Sequence, residues 1–276
     1  MTGSGATLTQ RTRAASATVA EACRNAVKEV ENWSLWAYRD STGEEWDAQP
    51  ACFITDYLLA IQCFAFAVYV ALFAANEQGH STWYLIYFVA MGTSAALGGL
   101  LHHLAFEALR SFVHKQEQSL AKTARIFGFT LKRTTVDLVI DVLWRIVLGF
   151  SILSNFALLS LAASRYLPEA WAYAIVLVAS MVYAGLVIWA SINMHTVFLL
   201  AGFLPALVFG AVVSYMAFDW RWSHSSNELL VYVVKLTGGL IQGLVWSPNN
   251  DKFNHNALSH VFLSLAATLM LIHFKL

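Results

Sequence analysis

The sequence predicts an all-α polytopic membrane protein, a bundle of seven transmembrane helices with its amino-terminus inside. Three observations predict it. Of the 276 residues, 58% are hydrophobic and only 12% are charged, whereas a soluble domain carries about 25% charged residues. The charges gather before residue 54 and between residues 106 and 137, and long apolar runs fill the rest. A bilayer core of about 30 Å needs roughly 20 apolar residues as helix, and the sequence lacks the alternating pattern of a membrane barrel.

The first run, 54–76, ends at Glu77-Gln78-Gly79-His80. The second, 81–106, ends in His102 and His103 and gives way to a basic loop. The third, 138–163, opens on Asp137, Asp141 and Arg145, and the last two are spaced to pair across one helical turn. The fourth, 169–192, follows Pro168, where proline is tolerated best. The fifth, 196–218, contains Pro205, which is expected to kink it or mark a packing feature. The sixth, 227–246, has Lys235 near its middle and Gln242 one heptad on. The seventh, 257–274, follows Asn254, His255 and Asn256, and either asparagine can cap it.

Basic residues set the orientation. The tail, the loop between the second and third runs, and the loop before the seventh hold twelve basic residues, and the opposite side holds three. The positive-inside rule therefore places the amino-terminus inside and the carboxy-terminus outside. The formal net charge is zero, which gives no support to a nucleic-acid partner. Membrane lipids are the expected partners, and the basic loop can touch anionic headgroups. Cys23, Cys52 and Cys63 have neither metal nor disulfide spacing.

Residues 1–53 form a tail ahead of the transmembrane domain, 54–276. Residues 1–20 carry Ser, Thr, Ala, Arg11 and Arg13 and no acid. That composition suits an organelle transit sequence and equally an ordinary tail, so the particular membrane stays open. Residues 19–38 repeat apolar positions every three to four residues, as an interfacial amphipathic helix would.

Ionisable residues within a membrane point to function. Odd runs begin inside and even runs end inside. Asp56, His102, His103, Asp137, Asp141, His195, His255 and His260 therefore all fall at the inner leaflet. Imidazoles and carboxylates at one depth suit a zinc site with an open water position. His102 and His103 point about 100° apart, so one of them is the candidate, and His102 follows Gly98 by one turn. His255 and His260 lie about 140° apart on a regular helix, whereas Asn256 and His260 share a face.

The Gly-Gly-x-x-His of residues 98–102 and the Phe-Asn-His-Asn-x-x-x-His of residues 253–260 give the chain a recognisable layout. It resembles the seven-helix superfamily of alkaline ceramidases, progestin and adipoQ receptors and related membrane hydrolases, over residues 54–276. The resemblance implies zinc held by His102, His255 and His260, with Asp56 or Asp137 as the acidic catalytic residue. It also implies hydrolysis of a lipid amide or ester. Two positions depart from the pattern. Gly98 stands where the superfamily has serine, the nearest serine being Ser94, and the final histidine spacing is one residue longer. The departures leave a second reading, a non-enzymatic subunit or interaction partner of a larger membrane complex. A third reading, a transporter using Asp141, Arg145 and Lys235, lacks an inverted repeat.

Overall fold

The computed structural model describes residues 37–39, 45–47, 49–73, 80–121, 133–193, 197–217, 224–244, 246 and 253–275. A short antiparallel hairpin, β1 (Ala37–Arg39) and β2 (Glu45–Asp47), lies against the second helix. Among the described residues the rest is helical: α1 (Pro50–Phe73), α2 (Ser81–Ala121), α3 (Arg133–Tyr166), α4 (Glu169–Asn193), α5 (Val197–Met216), α6 (His224–Gly243) and α7 (His255–Lys275). Residues 19–36 of the expected interfacial helix lie outside the described residues, and Ala37 and Tyr38 are in the strand instead. His195 and the side chain of Asp137 also lie outside them.

Five helices, α1, α2, α3, α4 and α7, contain stretches long and apolar enough to cross a membrane. In α2 only Ser81–Glu107 has that character, and the helix runs on to Ala121 through what the charge pattern marks as a loop. At about 1.5 Å per residue, 41 residues exceed a bilayer core about twofold. Pro205 sits inside a continuous α5, and the Tyr183 hydroxyl of α4 meets the backbone of Ala206 beside it.

The helices pack as a ring. α1 contacts α2, α2 contacts α3, α3 contacts α5, then α5, α6 and α7 follow in turn, and α7 returns to α1. α4 packs on the outside of α3 and is the least buried of the five long apolar helices. The charges in α6 decide its place. Glu228, Lys235 and Gln242 repeat every seven residues, so they share one face. That face turns inward, leaving Glu228 and Lys235 at 0% and 1% exposure.

Polar side chains hold the ring closed, as expected where lipid gives helices little hydrophobic reason to associate. Gln62 of α1 donates to the Ser264 carbonyl at 3.0 Å and to Thr268 Oγ1 at 2.8 Å, and Ser264 donates back to its Oε1. At the other end of the α1–α7 seam, Asn254 caps α7 by accepting from the Ala257 N–H at 3.0 Å. The same oxygen accepts from Cys52 Sγ at 3.0 Å, and the Asn254 N–H donates to Gln49 Oε1 at 2.8 Å. This staple sets α1 and α7 in register. Asp56 then lies one turn beyond Cys52, and His260 lies six residues beyond Asn254. Asn254→Ala should lower stability by about 1 kcal/mol for the cap and more for the stranded partners. Thermal unfolding in detergent measures it, and Asn254→Asp, which keeps the capping oxygen, should recover most of the loss.

Candidate functional site

Inside the ring is a cavity of about 400 Å³ lined by α1, α2, α3, α6 and α7. Its size falls within the range of small-molecule sites, roughly 300–1,000 Å³. One end holds Asp56, His102 and His260, and Gln242, Asn256 and Ser259 flank them. The middle is apolar, with Leu59, Met91, Ala95, Val147 and Leu263. Ser151, Ser154, Asn155 and Lys235 line it further along.

Asp56 is the hub of the first end. Its carboxylate is 4% exposed, with His260 Nε2 at 3.3 Å and His102 Nε2 at 3.9 Å. Gly98 makes the approach possible, because an added Cβ there would stand 3.3 Å from Asp56 Oδ2. At Gly99 an added Cβ would stand 2.8 Å from the Tyr57 ring. The paired glycines thus let α1 lie close on α2, with the Asp56 carboxylate against Gly98.

Thr55 holds the His260 ring in place. Its Oγ1 lies 2.8 Å from the Ala51 carbonyl and 3.0 Å from the Cys52 carbonyl, and 3.1 Å from His260 Nδ1. With the ring proton on Nε2, that N–H donates to Asp56 at 3.3 Å; with it on Nδ1, the Nε2 lone pair faces the carboxylate and a cation between them joins the two.

The donor set suits zinc in kind: two imidazoles and a carboxylate. Bonds of about 2.1 Å put neighbouring donors of a tetrahedral site about 3.4 Å apart. The His260–Asp56 edge matches at 3.3 Å, and the His102–Asp56 edge is wider at 3.9 Å. No group of three His, Cys, Asp or Glu side chains among the described residues is already spaced to hold a metal. His102 would have to close in by turning its ring.

The remaining candidates lie elsewhere. His255, at the first residue of α7, is not part of the cavity lining, in keeping with the 140° that separates it from His260. His103 stacks on Phe53 at 4.8 Å, with its Nδ1 3.5 Å from the Tyr57 hydroxyl. Asp141 and Arg145 pair at 3.2 Å, about a third exposed, and neither lines the cavity. Asn256 lines it beside His260 and accepts from Gln242 Nε2 at 3.3 Å.

A second polar cluster, at the opposite end of the bundle, was not visible in the sequence. Arg165 Nη1 donates to the Tyr84 hydroxyl at 2.7 Å and stands 3.1 Å from His273 Nε2. The Tyr84 hydroxyl is 2.9 Å from His273 Nδ1, and His273 Nε2 is 3.6 Å from Glu228 Oε2. Tyr232 donates to Glu228 Oε1 at 2.8 Å. His273 and Glu228 look like span-edge residues in the sequence, yet both are fully buried. The available signal was weak: one arginine and one glutamate, each flanking an apolar run.

A family match covers residues 51–274. The chain belongs to the Family of unknown function (DUF6962). The matched region of this DUF6962 member contains all seven helices apart from their outermost residues, and with them the whole cavity lining. Neither a curated protein nor a solved structure matches it.

Proposed function

We propose that this DUF6962 member is a zinc-dependent intramembrane hydrolase of a lipid amide or ester, with seven spans and its amino-terminus inside. One observation carries the reading: two imidazole nitrogens, at 3.3 and 3.9 Å, face one buried carboxylate within a cavity of mostly apolar wall. These are the donor types that zinc takes. His102 and His260 would hold the ion, with Asp56 between them. His255 and Asp137, which the superfamily resemblance also implies, are not needed for that set. Bound zinc would supply a water whose pKa falls to about 7.

The chain's own residues supply the rest. Thr55 fixes the His260 ring so that Nε2 points into the cavity. With one oxygen toward the ion, Asp56 would use its other oxygen to take a proton from water and return it to the leaving group. The apolar middle holds a lipid chain and keeps bulk water out. Gln242 and Asn256 present amide groups near the reacting end and can orient the substrate carbonyl.

Elemental analysis of the purified protein tests this reading. The wild type should carry about one zinc per chain, and His260→Ala about a tenth of that or less. Hydrolysis of an N-acyl lipid should be lost with the metal and return when zinc is restored to the wild type. Zinc absent from the wild type, or unchanged in His260→Ala, would overturn it.

A further inference from the structure

Lys235 is 1% exposed near the middle of α6, and it lines the cavity away from the imidazoles. Its Nζ donates to Asn155 Oδ1 at 3.2 Å and stands 5.0 Å from the centre of the Tyr87 ring. Cys63 of α1 lies close enough to feel its charge. Two helices give its depth. Lys235 precedes Gln242 by seven residues on α6, and Cys63 follows Asp56 by seven on α1. Seven residues rise about 10 Å. The cavity therefore has two polar ends about 10 Å apart with an apolar waist between them.

Neutral hydrogen-bonding groups surround Lys235 at this second end, the floor. Ser154 Oγ donates to the Ser151 carbonyl at 2.8 Å, and Ser94 Oγ to the Val147 carbonyl at 3.2 Å. Asn155 Nδ2 also donates to the Ser151 carbonyl, at 3.0 Å. Ser94 Oγ and Ser151 Oγ also lie 2.7 Å apart and share a hydrogen bond. The floor is thus a set of neutral polar groups around the Lys235 side chain, whose ammonium is the cationic group at this end of the lining. Its field is much stronger among apolar walls than in water.

We infer that Lys235 and Asn155 form a second binding station, which takes the carboxylate or phosphate of an amphiphile whose chain lies along the apolar waist. As a substrate subsite the station rests on the hydrolase reading, whereas as a binding site it is measurable without hydrolysis or zinc. Asn155 is the positioning residue, since its oxygen holds the ammonium on the cavity wall. The ligand's acid group accepts from Nζ, and its chain covers Leu59, Met91 and Leu263.

Native mass spectrometry of the full chain in detergent, with decanoate, decyl phosphate and 1-decanol as probes, tests the station. Both acids should bind the wild type about tenfold or more tightly than the alcohol, the order of one charge-assisted hydrogen bond. Asp56→Asn should keep that preference, Lys235→Arg should keep most of it, and Lys235→Met should abolish it. Asn155→Ala should weaken it, which provides a second variant if Lys235→Met does not fold. The stronger of the two acids identifies the source, a fatty acid or a phosphorylated lipid. Equal binding of decanol and the acids to the wild type, or a preference that survives Lys235→Met, would overturn the inference. An acid preference in a chain that binds no zinc would leave this station standing while the hydrolase reading fails.

Discussion

Asp56→Asn is expected to keep the fold and lose the chemistry. The asparagine amide can pair with His260 Nε2 in either tautomer, its nitrogen donating to a lone pair or its oxygen accepting from an N–H. The melting temperature should therefore shift by no more than about 4 °C, the size of a 1 kcal/mol change in a chain of this length. Lipid hydrolysis should fall by about 10²–10⁴-fold, the range for loss of a general base. Bound zinc should fall with it. A purely structural role for the pair predicts the opposite pattern. If His260 were an imidazolium held only to neutralise Asp56, breaking that buried pair would cost about 3–5 kcal/mol. The melting temperature would then drop by about 6–20 °C, by the same scaling. Differential scanning fluorimetry beside a hydrolysis assay separates the two outcomes.

Among the described glycines, Gly210→Ala should be the most damaging substitution. A Cβ at Gly210 of α5 would overlap the Tyr232 ring of α6. Both residues lie where the two helices pack, and Tyr232 is 1% exposed, so the ring has little room to yield. Overpacking of this kind costs about 1–3 kcal/mol. Moving the ring also removes the Tyr232 donor from Glu228, a fully buried carboxylate, at a further cost of about 1–3 kcal/mol. The expected result is a loss of about 2–6 kcal/mol, seen as a markedly lower melting temperature in detergent. Tyr232→Val combined with Gly210→Ala should lose less than the two single changes summed, because they act on one contact. An unchanged melting temperature for Gly210→Ala alone would show that α5 and α6 do not pack as described.

Helix positions were readable from the sequence because a single property, sustained apolarity, governs them in a bilayer. The run 169–192 is α4 (Glu169–Asn193), and the run 257–274 is α7 (His255–Lys275), with an asparagine cap in front. Turn-level spacing was readable too. Asp141 and Arg145 pair across one turn, His102 and His103 point to different surroundings, and Asn256 and His260 both line the cavity. Each follows from 3.6 residues per turn within one helix. The extension of α2 to Ala121 was not readable, because polar helix and polar loop have the same composition.

Relations between helices were a different matter. The shared depth of Asp56, His102 and His260 could be expected from counting spans, but their mutual approach depends on Gly98 and on the Gln49–Cys52–Asn254 staple. The outer cluster of Arg165, Tyr84, His273 and Glu228 joins four helices. The floor of the cavity takes Lys235 from α6 and Asn155 from α3. Apolar content and helical periodicity settle by themselves where the apolar helices lie and which residues of each share a face, since both are local to one segment. Only the packed bundle decides which polar faces meet, because that choice depends on rotations and close approaches of several helices at once, and these are set by small residues and cross-helix hydrogen bonds distant in the chain.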